Sequence, residues 1–257
     1  MAATGQAAII TGSATGIGAA VARHLAAKGV HVVINCSKSL DEAEATAAEC
    51  RALGVEALVC QADVSEDQAC RRLAQAALDA WGRIDFLVNN AGTTIFAAQG
   101  NLDAVQAEDF RRIYDVNVIG AFQMVRAVAP AMKAQGRGAI VNVSSIGGLA
   151  GIGSSIAYSA SKGALNTLTL SLARSLGPEI RVNAVCPGMV KTRWLQQGWG
   201  AERYDRALEK MEASMPLKEV SGPDEIAEPI VWLLDAAAHV TGEIISVDAG
   251  MHLGFAV

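Results

Sequence analysis

The chain has 257 residues, 51% of them hydrophobic and 18% charged, and carries a formal charge of −5. Basic and acidic residues are mixed with no Lys/Arg stripe, which argues against a nucleic-acid backbone or an anionic membrane as partner. No apolar run approaches the roughly 20 residues that a bilayer span needs.

Residues Met1–Thr11 have no basic start and only a short apolar run, which does not read as a signal peptide. There is no Pro/Ser-rich or low-complexity stretch to act as a linker, so residues 1–257 are expected to form one domain. Five cysteines, Cys36, Cys50, Cys60, Cys70 and Cys186, form no C-x-x-C and suit reduced, buried positions in a cytoplasmic protein. The four histidines are scattered without metal-ligand spacing, so no metal is expected.

In chain order, the first candidate strand is Ala7–Thr11, followed by a glycine turn and a helix over Ile17–Lys28 that stops at Gly29. Then come strand Val30–Asn35, helix Leu40–Leu53, strand Ala57–Cys60, helix Glu66–Trp81 and strand Ile84–Asn89. A long helix is predicted over Ala107–Gln135, then strand Ala139–Val143, helix Ile156–Leu176 and strand Arg181–Val185. Helices Glu202–Met211 and Pro223–Leu234 precede the last strand, Ile244–Val247. Several strands are apolar almost throughout, as strands covered on both faces are. The alternation predicts an α/β fold: a doubly wound, seven-stranded, mostly parallel sheet with helices on both faces.

The first strand runs through Thr11-Gly12-Ser13-Ala14-Thr15-Gly16-Ile17-Gly18 straight into a helix. Glycines there let the backbone turn sharply and approach a pyrophosphate, whose charge suits a helix N-terminus. An acid closing the second strand would bond the 2′-hydroxyl of NAD(H). Here the segment reads Asn35-Cys36-Ser37-Lys38, and the first acid, Asp41, comes later. Ser37 and Lys38 suit a 2′-phosphate, so NADP(H) is the expected cofactor, with NAD(H) the alternative.

Tyr158 and Lys162 stand four apart on one predicted helix and so share a face. A tyrosine titrating near 10 is a poor proton shuttle at neutral pH, and a neighbouring ammonium is expected to lower its pKa. Ser144 and Ser145, where a strand ends, offer hydroxyls for a substrate oxygen.

Together these segments resemble the short-chain dehydrogenase/reductase family. The resemblance rests on Thr11-Gly12 with Gly16-Ile17-Gly18, Asp63-Val64, Asn89-Asn90-Ala91-Gly92, Asn117, Ser145, Tyr158 with Lys162, Pro187-Gly188, and Val247-Asp248-Ala249-Gly250. It covers nearly the whole chain and implies a Rossmann-type fold.

By that resemblance Ser145 positions a carbonyl oxygen, Tyr158 carries the proton, Lys162 tunes the tyrosine and binds the nicotinamide ribose, and Asn117 holds a relay water. Asp63, with Val64, is implied to meet the adenine. Asn90, Ala91 and Gly92 would line the cofactor, along with Pro187, Gly188 and Val190, and Thr192 would meet the carboxamide. For Asn90 and Gly92 a purely structural turn remains the alternative. Two departures stand out: Thr15 where NADPH-using members often carry a base, and Ala249 where glycine is usual.

The nearest resemblance is to 3-oxoacyl-(acyl carrier protein) reductases, whose basic docking positions fall here near Gly136 and Pro178–Glu179, which are not basic, with Lys133, Arg137 and Arg174 close by. The implied reaction interconverts a small-molecule carbonyl and a secondary alcohol. The alternatives are an NAD-dependent alcohol or polyol dehydrogenase and, from another class, a non-catalytic nucleotide-binding sensor. The family implies a homotetramer or homodimer built on the helices over 107–135 and 156–176. Residues 189–220 are the least regular and most aromatic stretch, a flap over the substrate by the resemblance; Trp194 and Trp199 are better pocket candidates than Tyr204, for which core packing is the alternative.

Overall fold

The computed structural model describes residues 5–253. The sequence Leu253-Gly254-Phe255-Ala256-Val257 is apolar and a candidate subunit contact; residues 254–257 lie outside those described. The strands are β1 (Ala7–Ile10), β2 (His31–Cys36), β3 (Ala57–Gln61), β4 (Phe86–Asn89), β5 (Gly138–Val143), β6 (Ile180–Pro187) and β7 (Ile244–Val247). They form one sheet in the order β3-β2-β1-β4-β5-β6-β7, parallel at every pairing. All seven lie where the apolar runs place them, with ends shifted by one or two residues.

The connecting helices are α1 (Gly16–Ala27), α2 (Leu40–Ala52), α3 (Asp67–Trp81), α4 (Ala107–Tyr114), α5 (Ala121–Ala134), α6 (Gly147–Ala150), α7 (Ile156–Leu176), α8 (Arg193–Trp199), α9 (Ala201–Ser214) and α10 (Pro223–Asp235). Alternate strand residues feed two cores. Ala8, Ile10, Val32, Ile34, Val88 and Val141 pack with α1, α2 and α10. Ile9, Val33, Leu87 and Ile140 pack with α3, α5 and α7 on the other face. With both faces covered, the central strands need no polar positions, which is why their sequences do not alternate.

Chain order reverses between β1 and β4, so the turns leaving these two strands diverge and open a crevice at the carboxyl edge of the sheet. In open α/β sheets ligands bind in such a crevice. The Thr11 hydroxyl holds its base together: it accepts from the amides of Asn90 and Ala91, each at 3.0 Å, and donates to the Val88 carbonyl.

Two expectations need correction. The predicted helix over Ala107–Gln135 is interrupted by a π-helical turn, Asp115–Gly120, between α4 and α5. Its apolar pattern runs on unbroken, so nothing in the sequence marks the widened turn. Residues 189–220 hold one more helix than expected: α8 precedes the predicted helix, seen as α9, and both surround a small core of Met189, Tyr204, Met215 and Val220.

Candidate active site

The glycine turn is shaped by contacts that exclude side chains. A Cβ on Gly12 would stand 2.9 Å from the Ala91 Cα, and one on Gly18 only 2.6 Å from the Asn90 amide nitrogen. Gly12 and Gly16 both have positive φ, near +60°, a conformation costly for other residues. The Asn90 side chain donates to the Thr11 and Gly12 carbonyls, so it braces the turn as well as lining the space above it.

That space is a cavity of about 1100 Å³. It exceeds the ~300–1,000 Å³ usual for a drug-sized ligand, leaving room for a dinucleotide and a second small molecule. It is lined by Gly12, Thr15, Gly16 and Ile17, by Ser37 and Lys38, by Asp63 and Val64, by Asn90, Ala91 and Gly92, and by Pro187, Gly188, Val190 and Thr192. Ser145, Tyr158 and Lys162 lie on the same wall system. Five cations line it, Lys38, Arg112, Lys162, Lys191 and Arg193, against one carboxylate, Asp63. In a chain of charge −5, that local excess suits a polyanion. The cradle that a Cβ would fill and this charge both fit a nicotinamide dinucleotide.

Three residues singled out in the sequence do not line the cavity. Ser13 is fully buried; its hydroxyl donates to the Ile10 carbonyl and accepts from the Asn35 amide. Gly18 serves close packing of α1 on the turn. Asn117, in the π turn, is 1% exposed and accepts from the Thr93 amide at 2.7 Å. Both its amide protons are committed, to the Thr93 carbonyl and the Ser161 hydroxyl. Its side chain therefore fixes the loop after β4 beside α7, and a water could meet only its remaining acceptor positions.

Asn35, at the end of β2, was missed. Its carbonyl oxygen accepts from the Gly12 amide, and its amide donates to the Cys60 and Ala62 carbonyls. One buried side chain thus ties the turn, β2 and β3 together. No spacing rule signals such a contact.

The catalytic candidates are set by the start of α7. Ser155 caps it, accepting from the Tyr158 amide at 3.2 Å, so Tyr158 falls in the first turn and Lys162 one turn on. Gly148 of α6 lies against the Lys162 backbone, where a Cβ would be 2.5 Å from its carbonyl carbon. Lys162 is 3% exposed; its Nζ donates to the Val143 carbonyl at 2.7 Å and lies 5.7 Å from the Tyr158 ring centre. Ser144 donates to the Lys162 carbonyl, whereas Ser145 accepts from the Gly147 amide and stands beside Tyr158. Ser145 is therefore the serine free to donate to a substrate oxygen.

Burial dominates both titrations. It pushes the Tyr158 phenol up to about 12, opposed by the Ser145 hydroxyl, and brings the Lys162 ammonium down to about 8. The ammonium expected to lower the tyrosine does not do so here: desolvation raises the phenol, and the opposing group is the Ser145 hydroxyl. Tyr158 is consequently a protonated acid at neutral pH.

Above the hydroxyls, Phe96, Ile152, Met189, Trp194 and Trp199 form largely apolar walls, with Thr94, Ser154 and Gln197 as polar points. Trp194 meets Tyr158 edge-on, ring centres 6.0 Å apart. Both tryptophans named from the sequence line the cavity, and Tyr204 is core.

A family model described as enoyl-(acyl carrier protein) reductase matches residues 12–252. A Streptomyces violaceoruber protein named for ketoacyl reduction in the granaticin polyketide synthase is 41% identical over 246 residues, covering 96% of each chain. A crystal structure from Burkholderia xenovorans, described as a short-chain dehydrogenase/reductase, superposes with a TM-score of 0.91 at 43% identity, covering 99% of this chain and all of that one. A 7α-hydroxysteroid dehydrogenase complexed with NADH and a 7-oxo bile acid conjugate superposes at 0.88 with 33% identity, covering 96% of this chain and 94% of the other.

Proposed function

Because the chain belongs to the short-chain dehydrogenase/reductase family, we propose that it is an NADP(H)-dependent carbonyl reductase of the 3-oxoacyl-thioester type. The observation that carries this reading is the meeting of Ser145, Tyr158 and Lys162 at one end of a cavity whose other end is the glycine turn and the Ser37–Lys38 pair. Ser37 and Lys38 would hold the 2′-phosphate, the turn the pyrophosphate, and Thr192 the carboxamide. Asp63 and Val64 would flank the adenine. When bound, the nicotinamide supplies the hydride in reduction and accepts it in oxidation.

The protein's own groups handle the oxygen. Ser145 donates to the carbonyl oxygen and orients it. Tyr158, neutral at physiological pH, delivers the proton as the alkoxide forms. Lys162, one helical turn away and buried, supports the phenolate left behind and contacts the nicotinamide ribose. Asn117 keeps the loop after β4 and α7 in register. Oxidation runs the same transfers in reverse.

Two wider proposals go with this one. Ile119 and Phe122, in the π turn and α5, and Leu170 of α7 are each more than 40% exposed, which supports a homotetramer or homodimer through these helices. The described residues contain no helix long and apolar enough to cross a membrane, and a single cytoplasmic domain is the setting we propose.

The test is cofactor oxidation by the purified protein with a short 3-oxoacyl thioester. NADPH oxidised much faster than NADH is the expected result. Preference for NADH would replace the cofactor reading with that of an NAD-dependent alcohol or polyol dehydrogenase. Silence with the thioester but turnover of a cyclic ketone would keep the chemistry and remove the thioester.

A further inference from the structure

Glu42 pairs with Arg193, a residue of the cavity lining 151 positions away in sequence. Glu42 lies in the first turn of α2, just after Ser37 and Lys38; Arg193 opens α8 and lines the cavity with that pair. Both terminal nitrogens of the guanidinium donate to the carboxylate, Nη2 reaching Oε2 at 2.5 Å. This is the fork-on-carboxylate arrangement that fixes geometry as well as charge. Beside it, Thr192 closes onto the glycine turn, its methyl 3.6 Å from where a Cβ on Gly16 would stand.

The charges around the ribose end are few. Lys38 and the positive end of α2 favour an anion there. Asp41 is exposed on the same first turn, and Asp63 has one carboxylate oxygen engaged by the Ser65 amide and hydroxyl. Two acids are held by cavity-lining cations, Glu42 by Arg193 and Glu212 by Lys191, and of these Glu42 follows Ser37 and Lys38 on α2. Without Arg193 its charge would stand uncompensated one turn from Ser37 and Lys38. Arginine binds in a rigid fork and stays charged at any working pH, so the compensation is permanent.

We propose that Arg193 determines cofactor preference by masking Glu42, which lets the Ser37–Lys38 turn accept a 2′-phosphate. The inference rests on the NADP(H) reading above and adds a residue of α8 to it. It also explains how the chain tolerates Thr15 in place of a base: the phosphate site gains by neutralising an acid instead of adding a second cation.

The experiment is equilibrium binding of adenosine 2′,5′-bisphosphate and 5′-AMP, which probe the adenosine end without turnover. The wild type is expected to prefer the bisphosphate. Arg193→Ala should weaken the bisphosphate by about fivefold or more, as expected for one uncompensated charge near a doubly charged phosphate, and leave 5′-AMP nearly unchanged. Adding Glu42→Gln to Arg193→Ala should restore bisphosphate affinity.

Equal weakening of both ligands would make Arg193 a simple fastener of α8 to α2 and overturn the proposal. Failure of Glu42→Gln to restore binding would mean that Arg193 touches the phosphate itself, which also overturns masking. A wild type that shows no preference would instead remove the cofactor reading on which the inference stands.

Discussion

The ring of Phe96 lies directly against Gly198: two of its atoms stand 2.1 Å from the point that a Cβ on that glycine would occupy. The loop after β4 is thereby fastened to α8, and the substrate walls close only because residue 198 has no side chain. Gly198→Ala should expel Phe96 toward solvent, to which it is already 36% exposed. We expect kcat/KM for the ketone to fall about tenfold, since small misplacements of bound substrate are costly, while the melting temperature stays put. Unchanged kinetics would show that Phe96 is not a wall of the substrate site.

Tyr158→Phe keeps the ring, its edge-on contact with Trp194 and its place over Lys162, and removes only the acid. Loss of general-acid catalysis typically costs about 10²–10⁴-fold, and that is the drop expected in kcat. Cofactor affinity, read by tryptophan fluorescence, should change little. Retention of near-normal turnover would remove Tyr158 from the proton transfer.

Much of this was legible in the sequence, for identifiable reasons. The strands stand out because both faces are buried, so runs such as Ala7–Ile10 carry no polar interruption. Tyr158 and Lys162 are local, four residues apart on one helix. What stayed hidden depends on partners distant in sequence. Asn35 acts through the Gly12 amide and the Cys60 and Ala62 carbonyls, and Arg193 through Glu42. Helix α8 buries no residue fully, so it leaves no periodic stripe to read. The π turn hides because its apolar residues continue the pattern of its neighbours.

Lys162 is held at a cost that its pKa makes measurable. Its ammonium titrates near 8 in the fold against 10.5 when free. Below pH 8 both folded and unfolded states carry the proton, and burial of the charge opposes folding in full. Between about 8 and 10.5 the unfolded state binds more protons, so stability rises with pH. Burial of the ammonium thus costs the fold a few kcal/mol, offset by about 1 from the bond to the Val143 carbonyl. Lys162→Met should therefore be more stable than wild type by about 2 kcal/mol at pH 7. Denaturant titrations should show that advantage shrinking as pH climbs through 8 to 10.5; a gap that widens instead would reverse the assignment.

Ala249 stands where the resemblance leads us to expect glycine, and its φ is +53°. A left-handed conformation costs a residue with a Cβ about 1–2 kcal/mol. Ala249→Gly relieves that strain, but it loosens the unfolded chain and gives up a methyl packed against the Met189–Tyr204–Met215–Val220 cluster. The balance favours glycine by about 0.5 kcal/mol. Leu217 donates to the Ala249 carbonyl, and Gly250 packs so closely on Pro216 that a Cβ would lie 2.7 Å from its ring. Both contacts are to the chain that leaves α9, and neither involves the replaced methyl. The substitution should raise the melting temperature slightly and leave KM for both ligands unchanged. A lower melting temperature would mean that the methyl's packing outweighs the strain, making alanine here a stabilising choice.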